Sequence, residues 1–186
     1  ATPAEDAQFL LFLCAVIKAV DQHADLLRLS VASASNDCRL GGFEAPTPVI
    51  SIFLGDELTA VLDALENHRT YVKETTADMS VGVHVLPKFP KDVSDRNRTS
   101  PFAFTGNKFE FRMVGSSSSI ADANIVLNTI TAEALRQFAD VLESAEDFTL
   151  TLNALIKETI RKHRRIVFNG NNYSQEWVEE ASQRGL

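Results

Sequence analysis

The chain has 186 residues, 45% of them apolar and 23% charged, which is enough for one sizeable hydrophobic core. Its formal charge of -7 argues against a general nucleic-acid binder, because phosphate contacts need a clustered cationic surface. The apolar run "QFLLFLCAVIKAV" (8–20) follows acidic residues and is interrupted by Lys18 and Asp21, so neither a secretion signal nor a membrane span is expected.

In chain order, Thr2 as a cap, Pro3 in the first turn and nearby acids predict a buried helix over about 4–21. A shorter helix is expected from Gln22 to about Ser33, and "SNDCRLGGFEAPTP" (35–48) reads as an ordered loop. "VISIFLG" (49–55) suits a short buried strand, and "DELTAVLDALEN" (56–67) a helix capped by its first Asp. From Thr70 to Thr99 periodicity is lost, which predicts an irregular excursion with one short strand. "PFAFTG" (101–106) and "KFEFRM" (108–113) alternate around Gly106 and Asn107 as a hairpin or bent strand. A Ser-capped long helix follows over 116–146 and a second over 147–165, expected to pack as an antiparallel pair. The last helix starts at a Ser174 cap and leaves through Arg-Gly-Leu as though more chain followed. Together with the non-Met start, this makes a fragment the expectation.

Several features read as structural. "RKHRR" (161–165) fits a solvated helix end, where cations complement the dipole. His23, His68, His84 and His163 lack ligand spacing, and Ser116 to Ser119 suit helix capping. No glycine-rich phosphate loop is present. Cys14 and Cys38 form no disulfide framework, which points to a reducing compartment and hence the cytoplasm.

Chemistry-bearing side chains concentrate in "NDCRLGGFEAP" (36–46), "DRNRTS" (95–100) and "KFEFR" (108–112). On a strand, Lys108, Glu110 and Arg112 share one face, with Phe109, Phe111 and Met113 on the other. Such a face is commonly a salt-bridged surface. Arg and Lys converging on a carboxylate also suit a metal-bound phosphoryl group and a substrate carboxylate.

As an ordered set, "RLGGFEAP", "RNRTSPFAF" and "GNKFEFRMVGS" resemble the C-terminal half of the catalytic domain of glutamine synthetase, most closely its type III form. The flanks also look like type III sequence, so the resemblance covers essentially the whole chain. It implies an α/β (α+β) fold, antiparallel strands of the catalytic sheet backed by helices. Residues 1–143 would belong to the catalytic domain, 56–94 to a type III insertion and 144–186 to a helical C-terminal region. The implied activity is ATP-dependent glutamate–ammonia ligation through γ-glutamyl phosphate, with Mg2+ or Mn2+, in a homo-oligomer without nucleic-acid or membrane partners.

The resemblance also assigns roles. Glu110 falls on a metal-ligand glutamate, and Arg112 on an arginine that meets glutamate or the γ-glutamyl phosphate. Arg98 falls on a phosphate-binding arginine, Arg39 on the arginine for the substrate carboxylate, and Lys108 on a basic position near the nucleotide phosphates. Glu44 falls on the flap glutamate that helps deprotonate ammonium. Compared with type I, an arginine expected after "RNR" is missing and the Arg39–Glu44 spacing is slightly shorter. The glycine-rich histidine motif and the paired metal glutamates would lie upstream of Ala1, so the chain alone is expected to be inactive. The alternatives are a non-catalytic interaction module and a related γ-glutamyl-amine ligase.

Overall fold

The computed structural model describes residues 6–42, 45–67, 69, 78–79, 89–90 and 100–186. Helix α1 (Ala7–Gln22) starts where Asp6 accepts a hydrogen bond from the Phe9 amide at 2.9 Å. It therefore begins later than the expected residue 4, while Thr2 and Pro3 lie outside the described residues. Leu10, Leu13, Cys14, Ile17 and Val20 are buried along it, a helical stripe broad enough to meet neighbours on more than one side. Those neighbours are α2 (Ala24–Leu29), α5 (Ala121–Glu143) and α6 (Phe148–His163).

The helix expected over 22–33 ends at Leu29, and a further helix, α3 (Ala34–Arg39), occupies part of the stretch read as a loop. The cause is local: Ser33 caps α3 by accepting from the Asn36 amide at 3.2 Å. Asn and Asp favour turns, but they are tolerated in a helix this short once its first amides have an acceptor.

Strand β1 is only Ile52–Phe53, shorter than its apolar run. Helix α4 (Gly55–Glu66) has no cap from its own segment. Instead Asn169, far along the chain, accepts from the amides of Leu54 and Gly55 at 3.0 and 3.1 Å and donates to the Thr59 hydroxyl at 2.7 Å. The expected Asp56 cap is thus replaced by a tertiary one. Asn169→Ala should cost about 1 kcal/mol, within the range for lost helix caps, readable as faster amide exchange in the first turn of α4.

Strands β4 (Phe102–Phe104) and β5 (Phe109–Phe111) form the anticipated antiparallel hairpin, with Phe102 opposite Phe111, Ala103 opposite Glu110 and Phe104 opposite Phe109. Gly106 takes φ 98° in its turn, a conformation that glycine adopts without strain. On its other edge β4 pairs with β1 in parallel. The three-stranded sheet, order β1-β4-β5, is therefore mixed rather than wholly antiparallel as expected. β1 precedes α4, and the long connection between Phe53 and Phe102 lets the chain return alongside β1 in the same direction. Within 70–99, β2 (Asp78–Met79) and β3 (Phe89–Pro90) pair antiparallel, and the rest of that excursion lies outside the described residues.

The aromatic face of the hairpin turns toward the helices. Phe102 stacks on Phe109 at 4.9 Å between centroids, and Phe104 meets both Phe109 and Phe9 of α1. The chain is mixed α/β and mostly helical, and one apolar cluster joins α1, α4, α5 and α6 to the sheet.

The end of α6 departs from the expected solvated terminus. His163 and Asp21 are buried and share a 2.7 Å hydrogen bond, while Arg165 donates to the other Asp21 oxygen at 2.8 Å. Arg164 pairs with Glu66 and Asp63 of α4. These cations tie three helices together, because the 3-10 turn Arg164–Ile166 carries them back over α1 and α4. Helix α7 (Gln175–Arg184) has the anticipated Ser174 cap and leaves through Gly185 at φ 74°.

Candidate active-site face of the hairpin

Alternation along β5 turns Glu110 to the side opposite the Phe cluster, and Lys108 and Arg112 converge on it. Arg112 Nη2 lies 3.1 Å from one Glu110 oxygen, and Lys108 Nζ 3.3 Å from the other. The Thr105 hydroxyl adds a 3.4 Å contact from the turn. The Arg112 side chain is only 14% exposed, against 65% for Lys108, so the Arg112 pair is the better shielded of the two. The residues meet because the turn brings Thr105 back over β5 and the period of two sets all three charges on one side.

The hydrogen bond from Arg112 holds the Glu110 carboxyl below its ordinary range, with a smaller contribution from Lys108. A depressed carboxyl contributes stability above its unfolded-state pKa, and this is lost as pH falls through the folded value. Arg112→Ala should therefore move the Glu110 titration up toward the ordinary range. Carboxyl-detected NMR on glutamate-labelled protein checks this; an unmoved titration would show that Arg112 is not the cause.

Arg39 is half-buried at the end of α3 and approaches the same region from the other side. Its Nη2 donates to the Met113 carbonyl, one residue past Arg112, at 3.0 Å, and its Nε to Asn36 Oδ1 at 3.0 Å. Arg39, Lys108, Glu110 and Arg112 thus gather around one strand. Glu44 and Arg98 lie outside the described residues. Asn36 and Thr105 were not anticipated. Asn36 stands three residues before Arg39, a helical spacing that reading 35–48 as a loop concealed.

A divalent ion takes several oxygen ligands. Among the described residues no group of three or more His, Cys, Asp or Glu side chains could hold one, and the Glu110 carboxylate is already engaged by two cations. The described residues do not by themselves fit a metal site. Among them, no helix is long and apolar enough to cross a membrane.

Comparison with known proteins places relatives along the whole chain. The family model for the glutamine synthetase C-terminal domain matches residues 151–186. A type-3 glutamine synthetase of Dictyostelium discoideum is 50% identical over 188 residues, covering 100% of this chain and 26% of the relative. Glutamine synthetases of Butyrivibrio fibrisolvens and Bacteroides fragilis (strain YCH46) are 46% and 41% identical, each covering 99% of this chain and 26% of the relative. The chain spans about a quarter of the length of these relatives. With such identity sustained from end to end, the chain belongs to the glutamine synthetase family.

Proposed function

We propose that the chain contributes to a glutamate–ammonia ligase that uses ATP to form glutamine through γ-glutamyl phosphate. The observation that carries this is the β5 face, where Arg112 and Lys108 bracket Glu110 on a strand anchored by stacked Phe residues. Charge that grows during phosphoryl transfer is best met by groups already held in place, and a rigid strand supplies that. In this reading Arg112 meets the transferring phosphoryl group and glutamate, Arg39 the substrate carboxylate, and Arg98 and Lys108 the phosphates. Glu110 is one ligand for Mg2+ or Mn2+, whose remaining ligands are not among the described residues. Glu44 belongs to a flap and takes a proton from ammonium.

The enzyme is proposed to be a cytoplasmic homo-oligomer. Residues 1–143 belong to its catalytic domain, with 56–94 a type III insertion, and 144–186 begin a helical C-terminal region; the family match over 151–186 supports the latter part. Its strands are read as part of the family's catalytic sheet, of which β4 and β5 are an antiparallel pair.

The test is γ-glutamyl hydroxamate formation with Mg2+ or Mn2+, comparing the full-length protein with the 186-residue chain. The full-length protein should turn over at roughly 1 to 1000 per second, and the chain alone should not. Turnover by the chain alone, or none by the full-length protein, overturns the reading.

A further inference from the structure

Asn36 is 3% exposed and has its whole amide engaged. Its Nδ2 donates to the carbonyls of Val31 at 2.7 Å and Met113 at 2.9 Å, while its Oδ1 accepts from Arg39 Nε at 3.0 Å. Arg39 Nη2 donates to that same Met113 carbonyl at 3.0 Å. One carbonyl at the exit of β5 therefore receives both the amide and the guanidinium, and the amide and guanidinium also bond each other. The closed arrangement needs two donors and one acceptor on a short planar group, which is the inventory of Asn and not of Asp or Ser.

Room for this group is left by Gly115, where an added Cβ would lie 3.3 Å from Asn36 Oδ1. The contact set crosses from α3 to the end of β5, so it joins the segment carrying Arg39 to the one carrying Arg112. Among the described residues no hydrogen bond uses Arg39 Nη1, which leaves one edge of the guanidinium for a ligand.

We propose that Asn36 is a positioning residue for glutamate binding: it fixes the Arg39 guanidinium in the orientation that receives the substrate carboxylate and registers it against the strand bearing Arg112. The inference rests on the reading of Arg39 as the carboxylate contact. A free arginine side chain must be ordered when its ligand binds. One already held at Nε and Nη2 has met that entropic cost on folding.

The experiment is steady-state kinetics on the full-length protein with Asn36→Ala, Arg39→Ala and the double variant. Asn36→Ala should raise the glutamate KM roughly tenfold, as expected for a lost hydrogen bond to a charged group. The ATP KM and kcat should stay within about threefold. Because Asn36 acts through Arg39, the double variant should bind glutamate no worse than Arg39→Ala, a non-additivity that general loosening of the fold does not produce.

A raised glutamate KM in Arg39→Ala but not in Asn36→Ala overturns the inference and leaves the Arg39 reading standing. An unmoved KM in both overturns the Arg39 reading and this one with it. Additive losses, or a fall in kcat alone, also overturn it. Should Asn36→Ala fail to accumulate, Gly115→Ala provides the second arm, since its Cβ would lie 3.3 Å from Asn36 Oδ1 and 3.2 Å from Ser118 Oγ and so press on the amide; it should raise the glutamate KM a few-fold, and no change overturns the inference.

Discussion

Arg112→Ala in the full-length enzyme should lower kcat by roughly 100-fold or more, the size seen when one preorganised donor to a developing charge is removed. The apparent affinity for glutamate should change much less. The reason is the environment of this side chain: it is largely shielded from solvent and fixed by Glu110 at 3.1 Å, so it need not reorganise when charge appears. Its removal also leaves Glu110 with Lys108, which is far more exposed and replaces the lost interaction poorly. Arg39→Ala should show the opposite split, weakening glutamate binding with a smaller effect on turnover, because its proposed contact is present before and during the reaction. Equal effects on KM with unchanged kcat in both variants would mean that the two arginines have been assigned the wrong roles.

The largest expected effect on stability comes from a position remote from that face. Asp21 is buried near the end of α1 and is shared by His163 and Arg165. Arg165 continues to the carbonyls of Arg184 and Gly185, so one carboxylate ties α1 to the ends of α6 and α7. Asp21→Ala leaves His163 buried without its partner and Arg165 without its anchor. Breaking such a pair costs about 3 kcal/mol, the low end for buried pairs because Arg165 is partly exposed. Amide exchange at the end of α6 and across α7 should then accelerate roughly 100-fold. Arg136, paired with Glu133 and Asp140 on the exposed face of α5, is the control: its loss should not measurably change exchange in the same segments. If Asp21→Ala behaves like Arg136→Ala, the buried cluster does not hold these helices together.

What could be read without coordinates was whatever depends on neighbours in sequence. The β4–β5 hairpin, its charged and aromatic faces, the long helices α5 and α6 and the Ser174 cap follow from alternation, helical periodicity and short-range capping, which act over two to four residues, although α5 starts at Ala121 behind Ile120 and not at the expected serine cap. The resemblance around Arg39, Glu44, Arg98, Glu110 and Arg112 lies in the sequence too, and identity along the whole chain agrees with it. The Ser33 cap of α3 is equally local, but the turn preference of Asn36 and Asp37 masked it.

Only tertiary structure decided the contacts between distant segments. Asn169 replaced Asp56 as the cap of α4 across more than a hundred residues of chain. The run "RKHRR" became a set of bridges because the turn after α6 carries Arg164 and Arg165 to carboxylates on α4 and α1. The parallel pairing of β1 with β4 depended on where the chain returned after a long excursion. Asn36 acquired its place because the exit of β5 brings the Met113 carbonyl within reach of α3. In each case a polar group removed from water needs a partner, and which partner it finds depends on packing rather than on residues adjacent in the chain.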